Sequence, residues 1–414
     1  VRMNRDHWVV ITGLDFDLTD PQTFRPGEHG HLVELWESLR ARDHVFWQPF
    51  EDTGFWSVIS YADVRATYRD RENFTSERGS ILDTLLAGGD SAGGRMLAVT
   101  DGARHRALRK AMSRFFTPRH LESVERSIAR RTARVVDEAV ERCTVDFATD
   151  VGDRLPIEAV CDLMGVPESD RPQLLTYTKA ALSSDDEDSS ELDAISARSE
   201  LLLYLADLVA ARRTDPGDDL VSVLTSAEVD GEPLDDDDLA LNCYSLILGG
   251  DESTRVSAGT GALAFARCPA QWTKLRESRN VSPNLLPTAI EEVLRWSTPS
   301  MHFARTATAD VQIGEHTIRR GEVVALWNSA ANLDPEWFEQ PGRFDIDRPA
   351  RDHLTFGQGR HYCVGAIMAR IELRCLFDAL CERVVRIEEA AAPRQVFSNF
   401  LFGYSSLPLR LHRA

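Results

Sequence analysis

The chain has 414 residues and a mass of 46.3 kDa, of which 43% are hydrophobic and 27% charged. A formal net charge of −19 and a pI near 5.1 argue against nucleic acid or an anionic membrane as the main partner. No apolar run approaches the ~18 residues of a membrane-spanning helix, and the opening Val1-Arg2-Met3-Asn4-Arg5-Asp6 lacks an apolar signal core, so a cytoplasmic protein is expected.

The first regular elements read as strands. Residues 44–50 and 55–60 are rich in aromatic and β-branched side chains and flank Glu51-Asp52-Thr53-Gly54, a hairpin pattern. From about 61 to 300 the periodicity is helical, with stretches at 103–116, 119–141, 156–164, 191–213 and 287–296 punctuated by Pro and Gly. Residues 74–100 interrupt this pattern with an irregular segment containing Gly88-Gly89-Asp90-Ser91-Ala92-Gly93-Gly94. A loop of that length in a compact chain is usually a lid or binding loop. Arg104, Arg106, Lys110, Arg114 and Arg119 then make a locally basic stretch able to steer an acidic partner.

Two acidic runs follow. Asp185-Asp186-Glu187-Asp188 reads as a solvated connection between helices, and Asp235-Asp236-Asp237-Asp238 opens a helix over 236–267, where carboxylates favour the N-terminus. At 1.5 Å per residue that helix spans roughly 45–50 Å. Its apolar middle, Leu246-Ile247-Leu248, leads into Gly249-Gly250, each glycine weakening the helix by ~1 kcal/mol relative to alanine. Short strands are predicted at 311–313 and 323–327, and a last helix near 363–383. No repeat or linker divides the chain. A single domain over 1–414 is expected, mainly α with small β-sheets: a β-rich part at about 44–60, a helical body at about 61–300 and a mixed region at about 300–414.

Seven cysteines, at 143, 161, 243, 268, 363, 375 and 381, are odd in number, widely spaced and free of any C-x-x-C, so neither a zinc ribbon nor a disulfide framework is supported. Most read as buried thiols. Cys363 differs. It lies in Phe356-Gly357-Gln358-Gly359-Arg360-His361-Tyr362-Cys363-Val364-Gly365 and opens a helix whose apolar positions Val364, Ile367, Met368, Ile371 and Cys375 repeat at helical spacing. Unpaired N–H groups at a helix start favour thiolate over thiol. Such a thiolate can be a nucleophile with His361 as base, a zinc ligand or a haem ligand. Zinc wants three or four ligands, and nothing clusters here to supply them. Haem needs one cysteine, glycines for close approach and cations for its propionates, which Arg360 and His361 offer. The haem reading fits best.

The stretch resembles the cysteine-loop signature F-G-x-G-x-H-x-C-x-G of the cytochrome P450 superfamily, the haem-thiolate monooxygenases, at every fixed position. Ala366-Ile367-Met368-Ala369-Arg370 is similar to the bacterial members' continuation, and the likeness runs from about residue 30 to the end. The resemblance implies the superfamily's fold, with haem b between the long central helix and the cysteine-loop helix. It implies Cys363 as the axial iron ligand, with Phe356, His361 and Gly365 against the cofactor. His105 and Arg109, an H-x-x-x-R, and Arg305 match propionate-holding positions, although Gly102-Ala103 stands where prolines are common. Glu292-Val293-Leu294-Arg295 is similar to the family's E-x-x-R, with Arg343 of Pro341-Gly342-Arg343-Phe344 implied as a third partner bracing the loop. Leu248-Gly249-Gly250-Asp251-Glu252-Ser253-Thr254 is similar to the oxygen-binding groove, usually A-G-x-[DE]-T. There Gly249 and Gly250 leave room for the cofactor, and a hydroxyl at Ser253 can bond back to the Gly249 carbonyl. Glu252 with Ser253 makes the proton relay, and Thr254 comes next round. Serine in place of threonine keeps the hydroxyl and loses the methyl. Residues 403–409 resemble the terminal hairpin.

The resemblance implies a monooxygenase that inserts one atom of dioxygen into a small organic substrate, in secondary-metabolite biosynthesis. Electrons are expected from a separate ferredoxin or flavodoxin with its reductase. The substrate is free or tethered to a carrier protein, the chain is a monomer, and neither nucleic acid nor a membrane is a partner. Pocket candidates are the 74–100 loop, Leu246, Gly249, Ser300-Met301-His302-Phe303 and the tip near 400–402. The alternatives are a haem-binding sensor or carrier without oxygen turnover, and a haem-thiolate enzyme of oxidative cyclisation or isomerisation.

Overall fold

The computed structural model describes residues 16–25, 29–115, 118–182, 191–229, 231–279, 281–282, 284–349 and 352–414. The expectations for the opening residues, the acidic run at 185–188 and the side chain of Arg119 fall outside the described residues.

Five strands make the largest sheet, in the order Val45–Phe50, Thr53–Val58, Val323–Trp327, His302–Ala307 and Phe74–Thr75. The first two pair antiparallel with Phe50 opposite Thr53, so the hairpin loop is only Glu51 and Asp52. Glu51 takes a left-handed φ of 47° there, as two-residue hairpin loops demand. That tight turn is why the second strand starts at Thr53 and ends at Val58, two residues earlier than the alternation suggests. Ser60 then caps the helix Tyr61–Arg69 by accepting from the Asp63 N–H at 3.1 Å. Val323–Trp327 joins parallel to Thr53–Val58 and antiparallel to His302–Ala307, which brings the C-terminal third of the chain onto the N-terminal hairpin.

The long helix runs Asp236–Arg267, capped by Asp235, whose side chain accepts from the Asp238 N–H at 2.7 Å. It packs against Arg154–Met164, Glu191–Thr214 and Leu285–Ser297, so its second half is almost wholly buried. A Cβ at Gly261 would stand 2.7 Å from Val293 and 2.8 Å from Phe377, so glycine lets Leu285–Ser297 and also Ala366–Arg383 close on this one. One apolar core gathers around Ala262, Phe265, Val293 and Phe377, and a second around Met112, Cys161, Leu201, Leu205 and Ile247. The helices Gly102–Ser113, Pro118–Arg142, Arg154–Met164 and Glu191–Thr214 follow the predicted stretches closely.

The last helix begins at Ala366 rather than at Cys363. The preceding residues spend their backbone groups elsewhere: the Cys363 N–H donates to the Phe356 carbonyl at 2.9 Å, and the Cys363 carbonyl accepts from Ala366 at 3.4 Å. All seven cysteines are free thiols. Among the described residues no helix is long and apolar enough to cross a membrane.

Candidate functional site

The cysteine loop is a turn held from behind. Gly357 and Gly359 adopt φ of +66° and +75°, where a side chain is strained, and a Cβ at Gly359 would stand 2.6 Å from the Tyr68 carbonyl. Asn332 ties the loop to the helix Leu285–Ser297: its Oδ1 accepts from the Leu354 N–H at 2.7 Å, and its Nδ2 donates to Thr298 and Thr355 hydroxyls at 2.8 and 3.0 Å. Arg295 forks onto Glu292 at 2.7 and 2.8 Å and donates to the carbonyls of Asn332 and Pro341 at 2.9 Å each, all in full burial.

The third partner of that pair is Arg348, not Arg343. Arg348 Nε lies 3.2 Å from Glu292, and its side chain is only 10% exposed. The Arg343 guanidinium points to solvent, 3.9 Å from Asp345, while its carbonyl accepts from Arg348 at 3.0 Å. Phe344 and Ile346 are buried, so they take the inward positions here and Arg343 is left outward. The signal for Arg348 is its place just beyond the buried Ile346.

Cys363 is accessible although its sulfur lies deep below the surface, so the surface it exposes is that of an interior space. Burial pushes its thiol pKa up, against the N–H groups of Gly365 and Ala366 and the charges of Arg109 and Arg370. Helix-start stabilisation alone therefore does not make this a free thiolate. A thiol that coordinates a metal is deprotonated outright. Among the described residues no group of three or more His, Cys, Asp or Glu gathers to hold a metal ion, so the zinc reading finds no ligands.

Guanidinium groups and histidine N–H donors converge on the same loop. His105 is buried, its Nε2 has no hydrogen-bond partner, and its ring lies 4.4 Å from that of His361. Burial, then the charges of His361 and Arg109, lowers its pKa to about 4. Arg305 is buried over the Tyr68 ring at 5.4 Å and donates to its neighbour's carbonyl, Ala304, at 2.7 Å. Burial lowers the pKa of its guanidinium. Buried cations and donors in this state call for an anion, and the paired carboxylates of haem supply that chemistry. The residues present fit the group. Asp101, which the sequence reading passed over, organises them: its carboxylate accepts from His361 Nε2 at 2.8 Å, Thr75 Oγ1 at 2.7 Å and the Ser76 N–H at 2.8 Å, and lies 3.1 Å from Arg360. With Asp101 so engaged, the helix Gly102–Ser113 starts on Gly102 at φ +64° without a side-chain cap.

On the long helix the two glycines do different work. Nothing lies within 4 Å of a Cβ placed on Gly249, so that position faces open space. A Cβ on Gly250 would stand 2.5 Å from Val160 Cγ2, so Gly250 serves the close approach of Arg154–Met164. Ser253 Oγ donates to the Gly249 carbonyl at 2.9 Å, yet the helix stays continuous. Glu252 does not meet Ser253. Its buried carboxylate pairs with Arg255, whose Nε lies 3.2 Å from Glu252 and 3.7 Å from Asp153, and Asp153 in turn pairs with Lys179. Consecutive helical residues point ~100° apart, which separates the two side chains. Thr254 is buried. Asp251, whose role the sequence left open, is buried with both oxygens unpartnered, and burial, then Glu252, raises its pKa.

The pocket candidates come together in part. Met301 donates its N–H to the Phe400 carbonyl at 2.8 Å, and the Phe303 and Phe400 rings are 5.7 Å apart. Leu82, Leu85, Met301 and Phe402 share one apolar cluster. Leu246 borders the cluster that also receives Val364 of the cysteine loop. His302 is buried 4.6 Å from the Trp327 ring, and burial lowers its pKa to about 3, as for a structural histidine.

A model of the Cytochrome P450 family matches residues 209–384. Over 382 residues the chain is 40% identical to Cytochrome P450 NovI of Streptomyces niveus, covering 92% of this chain and 93% of that protein. Over 400 residues it is 32% identical to the steroid C26-monooxygenase of Rhodococcus jostii, covering 94% and 83%. The solved structure of P450 OxyD, described as involved in the biosynthesis of vancomycin-type antibiotics, is similar with a TM-score of 0.83 and 34% identity, covering 96% of this chain and all of that one.

Proposed function

The chain belongs to the cytochrome P450 family, and from that premise we propose that it tailors a natural product, with Cys363 as the axial ligand of its haem. The family's chemistry makes it a monooxygenase with haem b on a cysteine thiolate, served by redox partner proteins and acting on a small molecule. Bound haem supplies the activation of dioxygen and the transfer of one oxygen atom. The protein's own residues do the rest as a single catalytic domain. Phe356 and Gly365 shape the loop around the Cys363 sulfur. His105, Arg109, Arg305 and His361 hold the propionates. Gly249 leaves room beside the long helix, and Ser253 Oγ, bonded to the Gly249 carbonyl, hands on protons, while Glu252 is the nearby acid, held by Arg255 in a buried charge cluster with Asp153 and the partly exposed Lys179. Thr254 and Gly250 keep this turn of helix in place.

The observation that carries the reading is the exposed Cys363 thiol in the loop, with the unpartnered Nε2 of buried His105 and the buried Arg305 guanidinium beside it. The natural-product assignment rests on the likeness to OxyD. A small ferredoxin or flavodoxin, drawn to Arg106 and Lys110, is the expected electron donor, and the enzyme works as a monomer. Free thiols throughout suit a reducing cytosol. The test is a carbon monoxide difference spectrum of the reduced, purified protein. A strongly red-shifted Soret band is expected, lost in Cys363→Ala, and a protein that takes up no haem refutes the assignment. Turnover that requires NAD(P)H and a ferredoxin separates the enzyme from a sensor or an isomerase.

A further inference from the structure

Behind the cysteine loop lies a second ion pair, apart from Glu292 and Arg295. Glu291, next in the helix, turns the other way and receives a fork from Arg370, Nε to Oε1 at 2.6 Å and Nη2 to Oε2 at 2.9 Å. The remaining guanidinium nitrogen, Nη1, reaches the Tyr362 hydroxyl and the Ala366 carbonyl, both at 3.2 Å. Tyr362 precedes Cys363, and Ala366 donates to the Cys363 carbonyl. The guanidinium also stands 4.6 Å over the Phe356 ring. His353 Nε2 lies 3.2 Å from Glu291 Oε2, the oxygen that also takes Arg370 Nη2, in full burial. Arg370 thus presses a positive charge against the loop, and Glu291 stands directly behind it with the opposite charge.

We propose that Glu291 and Arg370 are positioning residues that set the reduction potential of the thiolate-ligated centre, Arg370 raising it and Glu291 holding that effect in check. The inference rests on Cys363 being the ligand. Reduction by the redox partner brings one electron, and so one negative charge, to the interior beside the loop. A fixed positive charge there favours the reduced form and a fixed negative charge the oxidised form, and partial burial keeps both from being fully screened. Burial opposes ionisation of Glu291, but hydrogen bonds from His353 and Arg370 bring its pKa down to about 2, so both partners are charged at neutral pH.

The test is a spectroelectrochemical titration of the haem-loaded protein against Glu291→Gln, Arg370→Gln and the double variant, each checked for its carbon monoxide band. Glu291→Gln should shift the potential upward, Arg370→Gln downward, and the double variant should return close to the wild type. A pair that only braces the loop would move both single variants in one direction. Shifts of the same sign, or none, overturn the proposal. Arg370→Lys keeps the charge and loses the fork, so its potential should stay near that of the wild type. A shift as large as for Arg370→Gln, or for that variant alone if the others fail to load haem, overturns it equally. A wild type without the red-shifted band overturns the ligand assignment itself, whereas a red-shifted wild type with same-sign shifts overturns only the pair.

Discussion

The cysteine loop and the 74–100 segment border the same site and are secured in contrasting ways. Behind the loop, Glu292, Arg295 and Asn332 are entirely buried and bond to one another and to backbone groups. The 74–100 segment instead hangs on the first turns of the long helix. Asn242 accepts from the Leu97 N–H at 2.9 Å and donates to the Arg95 carbonyl at 3.0 Å, and Asp238 takes Arg95 Nε at 2.6 Å together with Arg104. Arg95 is 43% exposed and Arg104 35%, so water competes for these bonds. The difference teaches how far water reaches each attachment. The cysteine loop is locked by wholly buried groups, whereas residues 95–97 are held to the long helix through one buried asparagine and arginines that water reaches.

The largest effect should come from the locked side. Arg295→Ala leaves Glu292 buried without its fork, and breaking such a pair costs about 3–5 kcal/mol. Urea denaturation and haem retention should both collapse, and a variant as stable as the wild type would erase the contrast. Asp238→Ala should cost much less, about 1–2 kcal/mol for charged hydrogen bonds that are partly exposed. Its signature should be kinetic, a several-fold faster substrate dissociation and a higher KM with kcat little changed in stopped-flow and steady-state assays. Ser253→Ala should leave folding and haem uptake intact while product per NAD(P)H falls and peroxide rises, within the roughly hundredfold that a positioned proton donor contributes. Ser253→Thr should retain coupling.

Acid provides the finest comparison. His302, on the substrate side, has its pKa lowered from 6.5 to about 3 by burial. A depressed histidine stabilises the fold above its unfolded value, so that contribution fades as pH falls from 6.5 toward 3. Glu291, on the loop side, is depressed from 4.5 to about 2, so its contribution stays whole until the pH drops below 4.5. His105, against the cysteine loop, is lowered to about 4 in the same way, so hydrogen exchange at pH 5 should show opening along His302–Ala307 and beside His105 while the helix that carries Glu291 stays protected. Equal protection of all three at pH 5 would contradict this.

What the sequence makes legible is local. The long helix shows both its ends, through Asp235 and Pro269, and the cysteine loop carries its turn glycines and its thiol in one short stretch. What it hides depends on partners far along the chain. Gly250 reads as room for a cofactor until Val160 arrives against it. Glu252 reads as a partner of Ser253 until the helix turns it toward Arg255 and Asp153. Arg343 reads as the brace until the burial of Phe344 and Ile346 leaves it outward and Arg348 takes its place. The latch of Asp238 and Asn242 on residues 95–97 has no signature in either segment alone.

The parallel pairing of Val323–Trp327 with Thr53–Val58 has a consequence for biosynthesis. Trp56 Nε1 finds its acceptor, Glu322, 266 residues downstream. At ribosomal speeds of ~5–20 residues per second, the N-terminal hairpin waits roughly 10–60 s with an unpaired edge carrying Phe55 and Trp56. That interval is an invitation to chaperones, and low-temperature expression or added trigger-factor-type holdases should raise the yield of folded chain more than any substitution at the site.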